Sequence, residues 1–232
     1  MPTIQLDAAA VRVPRPGRGE REILAPTTVT LTERRIGIIG ANGSGKSTLV
    51  RLFNGLVRPS SGRVSVEGRD VVRDGAAVRR RVGFCFTDPA AQLVMPTCVE
   101  DIELSLRRTV KDADARRERA LEVLAANGLA DHAHDSVHSL SGGQRQLLAL
   151  AGVLALAPTI VVTDEPTTLL DRANTRRVAD TLFALDQQLV LVTHDLELAA
   201  RCERVLVVDD SRVVFDGSPA QSIAHYTSLV DA

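Results

Sequence analysis

The hydrophobic positions of this chain concentrate in short apolar runs, the pattern of strands that are buried on both faces. The first run, Arg-Ile-Gly-Ile-Ile, covers residues 35–39, and three more, rich in β-branched residues, cover 160–162, 189–192 and 205–208. Polar segments long enough for helices separate the last three runs. Strands that alternate with helices favour a parallel sheet, so the pattern predicts an α/β fold.

The N-terminal part of the chain has a different pattern, typical of antiparallel strands. Residues 4–13 predict a strand that ends at the segment 14–19, Pro-Arg-Pro-Gly-Arg-Gly, which cannot continue a ladder of hydrogen bonds. Residues 62–68, in which valines alternate with polar neighbours, predict another strand. We therefore expect a hairpin and an antiparallel β part beside the parallel core.

Helical patterning appears in two places. Residues 47–54 predict a helix that closes at Gly55. Between about residues 88 and 139 the chain changes character, with helical patterning at 99–108 and 113–127 and no run of the parallel-strand type. We expect one domain over residues 1–232, with a helical subdomain at about 88–139 inserted into the core.

Composition narrows the classes of function. The chain has 232 residues, 44% of them hydrophobic, which suffices for one sizeable core. Its 28 Lys and Arg nearly balance its 29 Asp and Glu, so the overall charge gives no reason to expect nucleic-acid binding. No window approaches about 18 uncharged apolar residues, and residues 1–10 lack the pattern of a secretory signal. If such a protein serves a membrane, we expect it to dock onto one.

One glycine-rich segment carries specific chemistry. It lies between the apolar run 35–39 and the first predicted helix, and it consists of Gly40, Ala41, Asn42, Gly43, Ser44, Gly45, Lys46, Ser47 and Thr48. The spacing G-x-x-x-x-G-K-[ST] is that of a phosphate-binding loop. Its glycines let backbone N–H groups turn toward phosphate oxygens, Lys46 neutralises phosphate charge, and Ser47 offers a hydroxyl to Mg²⁺. The loop predicts a nucleotide site, which by itself also suits a kinase, a GTPase or a motor.

Two carboxylates follow the apolar run 160–162, at the edge where α/β sheets place their ligand sites. Asp164 is expected to hold Mg²⁺ through its water shell. Glu165 points in another direction and is the candidate base that polarises an attacking water. Together with the phosphate loop, the pair predicts hydrolysis of the nucleotide.

A second candidate anion site comprises Ser141, Gly142, Gly143 and Gln144, directly after Leu140. A small hydroxyl and two glycines stand there at the start of a predicted helix, where backbone N–H groups attract anions. One chain has no need of two phosphate cradles for one nucleotide, unless the second serves a nucleotide held by another copy. Taken alone, the segment favours an ordinary serine-capped helix start over an anion site.

The order of these segments resembles the ABC ATPase family over essentially the whole chain. Leu-Ser-Gly-Gly-Gln at 140–144 resembles the family's signature motif, and Thr-His-Asp follows the Asp-Glu pair at 193–195. The resemblance implies a P-loop (RecA-like) parallel core sheet and hydrolysis of ATP, with Mg²⁺, to ADP and phosphate. It also implies a head-to-tail dimer, in which each ATP lies between residues 40–48 of one copy and 141–144 of the other.

The resemblance assigns two further residues. His194 matches the family's switch histidine, which contacts the γ-phosphate and orients Glu165 and the attacking water; with Lys46 these residues would form the catalytic group. Asp171 matches the aspartate of a loop that communicates across the dimer. The preceding residues Thr-Leu-Leu, 168–170, depart from the usual Ser-Ala-Leu.

Two positions depart from the family more sharply. Thr87 stands where a glutamine normally reaches Mg²⁺ and the attacking water, and its hydroxyl is shorter and lacks the NH₂ donor pair. Gln92 is a candidate substitute, and we expect Thr87 to weaken the coupling of γ-phosphate sensing to a membrane partner. The adenine-stacking aromatic aligns with Val13, so apolar contact with Val13, or stacking by Arg12 or Arg15, is expected to hold the base.

Residues 88–102 resemble those of energy-coupling-factor ATPases, which power vitamin and metal uptake together with a transmembrane coupling protein and a substrate-binding membrane protein. The short segment after the last apolar run is typical of the biotin or cobalt type. The resemblance therefore implies an importer subunit at the cytoplasmic face of the cell membrane, with no nucleic acid as partner. The alternatives are a clamp on nucleic acid or ribosomes, and a small-molecule kinase, which would lack the signature 140–144.

The cysteines and three of the histidines could in principle bind a metal ion, but the residues around them favour other roles. The three cysteines are odd in number and without C-x-x-C spacing, which predicts buried reduced thiols; they are Cys85, Cys98 and Cys202. Three histidines form H-x-H-x-x-x-H in an aspartate-rich loop without nearby cysteine, which favours a solvated loop over a zinc site; they are His132, His134 and His138.

Overall fold

The protein, described by a computed structural model over residues 2–15, 17 and 19–231, consists of two sheets and a layer of helices. Its strands are β1 (Ile4–Arg15), β2 (Gly19–Leu31), β3 (Arg35–Ile39), β4 (Ser61–Val66), β5 (Arg69–Asp70), β6 (Val82–Cys85), β7 (Ile160–Asp164), β8 (Gln188–Val192), β9 (Arg204–Asp209) and β10 (Arg212–Gly217). Its helices are α1 (Lys46–Leu52), α2 (Gly75–Arg81), α3 (Cys98–Leu106), α4 (Ala113–Ala126), α5 (Gly142–Leu154), α6 (Arg172–Phe183), α7 (Leu196–Ala200) and α8 (Pro219–Val230). Single 3₁₀ turns lie at Pro89–Ala91 and Ala130–His132. Pro16 and Arg18 of the predicted turn, and the terminal residues Met1 and Ala232, lie outside the described residues.

The larger sheet has six strands in the order β10-β9-β3-β8-β7-β6, and all pairs are parallel except β9 with β10. Every residue of β3, β7 and β8 is buried. Because successive side chains point to opposite faces, Ile160 and Val162 pack into one core and Val161 into the other. The predicted α/β fold with a parallel core is confirmed.

The smaller sheet is antiparallel, in the order β2-β1-β4-β5. The long hairpin β1–β2 runs from the pair Ile4 and Leu31 to the pair Arg15 and Gly19. Its apolar side chains, the helix α1 and one face of the large sheet enclose a common core, in which Phe53 is fully buried. The start of α1 is thereby fixed against the end of β3, the strand that precedes it.

The second core lies on the other face of the large sheet, under helices α3 to α7. Helices α3, α4 and α5 lie between β6 and β7 in the chain and contact one another. Helix α3 begins with a capping box, in which the Thr97 side chain and the Glu100 carboxylate satisfy each other's backbone N–H groups. All three cysteine side chains are buried and free, and burial raises the pKa of Cys85 to about 12.

Among the helices that the structure describes, none combines the length and the apolarity needed to cross a lipid bilayer.

Candidate functional site

A cleft of about 960 Å³ opens at the carboxyl edge of the large sheet, where β3, β7 and β8 end. Most of the glycine-rich loop 40–48 lines it, together with Thr87, Glu165 and His194. These side chains come from four separate segments of the chain, which the parallel strand order brings to one edge. The cleft is therefore the place where the predicted phosphate-binding and hydrolytic residues meet.

The loop 40–48 is shaped to surround an anion. Gly40 has φ 150°, and a Cβ atom there would lie 2.0 Å from the Val208 carbonyl oxygen, so only glycine fits between loop and strand β9. The Ser44 hydroxyl is buried in the loop and has no hydrogen-bond partner among the described residues. A buried unpaired hydroxyl is costly in a protein interior, and a phosphate oxygen would satisfy it. The backbone at Gly40 and the unpaired Ser44 hydroxyl therefore both suit a bound phosphate group.

Lys46 is held inside this loop. Its Nζ donates to the carbonyl oxygens of Gly40 at 2.7 Å and Ala41 at 2.9 Å, and the residue is only 5% exposed. Burial lowers the pKa of Lys46, while the carboxylates of Glu165 and Asp164 act in the opposite direction. A nucleotide phosphate would add negative charge beside the ammonium group and favour its charged form.

Asp164 lies at the end of β7, and its carboxylate faces α1. Its Oδ1 accepts from the Ser47 hydroxyl at 2.9 Å, and its Oδ2 lies 3.2 Å from an Arg51 guanidinium nitrogen. A serine hydroxyl and a buried carboxylate held together are hard oxygen ligands, the kind that Mg²⁺ prefers. The donor set therefore suits Mg²⁺, with Ser47 and Asp164 as the residues that would hold it.

Glu165 follows with a left-handed backbone, φ 56°, and its N–H donates to the Val192 carbonyl at 3.0 Å. This turn directs its side chain away from that of Asp164 and into the cleft. Its Oε2 accepts from the Thr168 hydroxyl at 2.7 Å and lies 2.5 Å from His194 Nδ1. A carboxylate fixed by two neighbours, in the cleft that the phosphate-binding loop lines, is placed to act as a general base.

Thr87 lines the cleft, and its hydroxyl donates to the Asp164 carbonyl oxygen at 2.7 Å. Gln92, the candidate substitute for the missing glutamine, is turned elsewhere: its Nε2 donates to the Ala149 carbonyl at 3.0 Å, and its Oε1 accepts from Phe86 N at 3.4 Å. Thr87 is therefore the side chain of this segment that reaches the cleft, where it also supports the end of β7.

The segment Ser141–Gln144 does not line the cleft. It starts α5 with a capping box: Gln144 N donates to Ser141 Oγ at 3.3 Å, and Ser141 N donates to Gln144 Oε1 at 2.8 Å. A Cβ atom on Gly143 would lie 2.3 Å from Asn174 Oδ1, so α6 packs closely here. Asp171 caps that helix by accepting from Asn174 N at 2.9 Å. A single chain thus keeps its two predicted anion sites apart.

Val13 is also outside the cleft lining; it is 41% exposed and lies on β1 opposite Arg21. Outside the loop itself, the apolar side chains that line the cleft are Ile23 of β2 and Tyr226 and Val230 of α8. Sequence reasoning missed these three residues. The available signal was that Tyr226 is the only tyrosine of the chain, but α8 itself was not predicted.

Comparison with known proteins agrees with this geometry. Residues 27–168 match the family model described as ABC transporter. The biotin transport ATP-binding protein BioM of Rhizobium etli is 42% identical over 229 residues, which cover 97% of this chain and 98% of BioM.

Two solved structures are similar over nearly the full length. CbiO1 of Clostridium perfringens, described as part of the ABC transporter complex cbiONQ, has a TM-score of 0.81 at 27% identity and covers 98% of this chain and 93% of its own. The ATP-binding cassette MJ0796, in a dimeric post-hydrolysis state with ADP and Pi, has a TM-score of 0.82 at 28% identity. That match covers 93% of this chain and 98% of MJ0796.

Proposed function

Since the chain belongs to the ABC transporter family, as an ATP-binding subunit that hydrolyses ATP, we propose that it powers an importer of the energy-coupling-factor type. The transported molecule would be a vitamin or a metal ion, of the class that includes biotin and cobalt. The observation that carries this proposal is the end-to-end match to a biotin transport ATP-binding protein. The likeness to a CbiO1 subunit supports the same type of system.

The proposed assembly contains two copies of the cassette. Each cleft holds the phosphates in loop 40–48, and the second copy closes it with Ser141–Gln144. The separation of these segments within one chain supports this arrangement, as does the dimeric state of the similar cassette MJ0796. A transmembrane coupling subunit and a substrate-binding membrane subunit complete the importer, so the chain would work at the cytoplasmic face of the membrane.

In the proposed mechanism, Lys46 and the backbone N–H groups of the loop hold the β- and γ-phosphates. Glu165 accepts a proton from the attacking water, and His194 fixes the Glu165 carboxylate through the contact at 2.5 Å. Ser47 and Asp164 hold Mg²⁺, with Thr87 at the same edge of the cleft. The bound Mg²⁺ would neutralise charge that develops on the transferred phosphate.

The membrane partner would dock beside Thr87. The segment that follows Thr87 exposes Val94, whose side chain is 67% exposed on a well-fixed loop. Asp101 Oδ1 fixes that loop by accepting from Val94 N at 2.9 Å and from Met95 N at 3.1 Å. A fixed, exposed apolar side chain in the segment that begins at the cleft residue Thr87 suits contact with a partner that must sense the nucleotide.

The proposal is tested by isolating the tagged chain from membranes of its native cells. We expect two integral membrane proteins to copurify with it, one of which binds a small vitamin or a metal ion. The substitution Val94→Asp should abolish copurification and leave basal ATP hydrolysis unchanged. Val214→Asp, at an exposed valine on β10, is the matched control and should retain the partners. Recovery of the chain with ribosomes or nucleic acid, in place of membrane proteins, would contradict the proposal.

A further inference from the structure

The loop before the signature segment contains three histidines, and one of them is engaged with that segment. His132 ends the 3₁₀ turn Ala130–His132, and its side chain is only 34% exposed, whereas His134 and His138 are exposed. Its Nδ1 lies 2.7 Å from Asp135 Oδ2, and its Nε2 lies 2.7 Å from Gln144 Nε2. The expectation that this histidine is simply solvated is therefore wrong, because it contacts the signature glutamine.

The direction of each hydrogen bond in this group follows from one backbone donor. Ser141 N can only donate, so the Gln144 atom 2.8 Å away must be its carbonyl Oε1. The NH₂ group of Gln144 then faces His132, whose Nε2 has to accept and carries no proton. The ring proton is consequently on Nδ1, where it is donated to the Asp135 carboxylate.

We propose that neutral His132 is a positioning residue for the signature segment: it holds the Gln144 amide in the orientation that closes the capping box on Ser141. The inference rests on the proposed function, in which Ser141–Gln144 contact the nucleotide of the partner copy. A proton on His132 Nε2 would place an N–H donor against the Gln144 NH₂ group. The amide then has to flip or move away, and in either case Ser141 N loses its acceptor.

Only a ring without a proton on Nε2 can accept from the Gln144 NH₂ group, so protonation of His132 would release the signature segment. Neutral His132 is the form that holds the Gln144 amide in place, and this hydrogen bond is lost as the pH falls. Asp135 is the ionisable group in contact with the ring. Helix α4, which packs against the 3₁₀ turn, carries Arg119 and Glu122, α5 carries Arg145 next to Gln144, and Arg177 of α6 lies close to Gly128.

The experiment compares ATP hydrolysis by the full chain with that of His132→Gln and His132→Leu between about pH 5.5 and 8.5. Glutamine keeps an acceptor for Gln144 but does not titrate, whereas leucine removes the acceptor. The ratio of the His132→Gln rate to the wild-type rate cancels titrations that both proteins share. We expect this ratio to lie within about twofold of one near pH 8 and to rise severalfold toward low pH.

His132→Leu should lower kcat severalfold near pH 8 without changing the affinity of the P-loop for ATP. The matched controls are His134→Gln and His138→Gln, in the same loop, which should follow the wild-type pH profile. A constant ratio between His132→Gln and wild type, or a wild-type kcat for His132→Leu, would overturn the proposal.

A second measurement does not depend on activity. Long-range ¹H–¹⁵N NMR spectra of the chain should show His132 in the Nδ1–H tautomer at high pH, and the Gln144 NH₂ signals should shift with the same midpoint as the ring. An Nε2–H tautomer would refute the contact. If the chain failed to form an ATP-driven dimer while the Nδ1–H tautomer was found, the proposed composite site would fail and the His132 contact would stand.

Discussion

The two glycine-rich segments of this protein, loop 40–48 and Ser141–Gln144, both lie at the start of a helix and both suit an anion. They differ in their burial and in the residues that fix them. In the loop, Gly40, Ser44 and Lys46 are buried, and Lys46 and the adjacent Asp164 are fixed by neighbours from the same chain. Ser141 is exposed, and its polar groups are satisfied by its own capping box.

The difference lies in what each segment needs from a partner. The loop is arranged by strands that end beside it, so one chain can bind phosphates there. The signature segment presents N–H groups that have no intrahelical partner at the start of α5, and none of Ser141–Gln144 lines the cleft. In the proposed assembly, this segment becomes a site only when another copy brings a nucleotide to it.

The largest expected effect comes from Glu165→Gln, which keeps the shape of the side chain but removes the general base. We expect ATP hydrolysis to fall by about 10³-fold while ATP binding persists. The variant should then accumulate as an ATP-bound dimer, detected by light scattering with saturating Mg-ATP. A variant that remains monomeric under these conditions would count against two segments sharing one nucleotide.

The comparison between the two segments is tested most directly by complementation. Lys46→Ala disables the loop and Ser141→Ala the signature, and each alone should lower hydrolysis by about 10- to 100-fold. In an equal mixture, half of the dimers contain both variants, and each of these has one intact composite site. The mixture should therefore recover about a quarter of wild-type hydrolysis.

The control for this mixture is a chain that carries both substitutions, which should restore nothing when mixed with either single variant. If the mixture of single variants showed only the mean of their separate rates, each chain would be hydrolysing ATP with its own segments, and the distinction between the two would disappear.

The smallest expected effect concerns Thr168, on the connection from the cleft toward α6. Thr168→Val removes the hydroxyl that donates to Glu165 at 2.7 Å while keeping the volume. The loss of about 1 kcal/mol should lower kcat about fivefold with little change in ATP affinity. Thr168→Ser keeps the donor and should retain the wild-type kcat; equal losses in both variants would assign Thr168 a packing role.

Much of the fold followed from the sequence because its strands are short, buried and β-branched. The apolar runs 160–162, 189–192 and 205–208 correspond to β7, β8 and β9, and the edges differ by one or two residues. Helices α2 and α8 and strand β10 were not predicted. Their fully buried positions are few, because each packs at the margin of a core that other elements define.

For the site, motif spacing identified loop 40–48, Asp164 and Glu165, because phosphate binding demands fixed glycine, lysine and carboxylate positions. The sequence could not find Ile23, Tyr226 or Val230, since their proximity to the loop depends on how β2 and α8 return to the sheet edge. The sequence also predicted that His132 lies in a solvated loop. Only the approach of α5 to the loop before it reveals the contact with Gln144.

The sequence by itself determined the fold class, the phosphate loop and the family, because local spacing and hydrophobic period carry that information. The tertiary structure decided which side chains share a space. It brought Thr87, Glu165 and His194 to one cleft, and it left Ser141–Gln144 outside that cleft. The physical reason is that contacts between distant segments depend on strand order and helix packing, which no local pattern encodes.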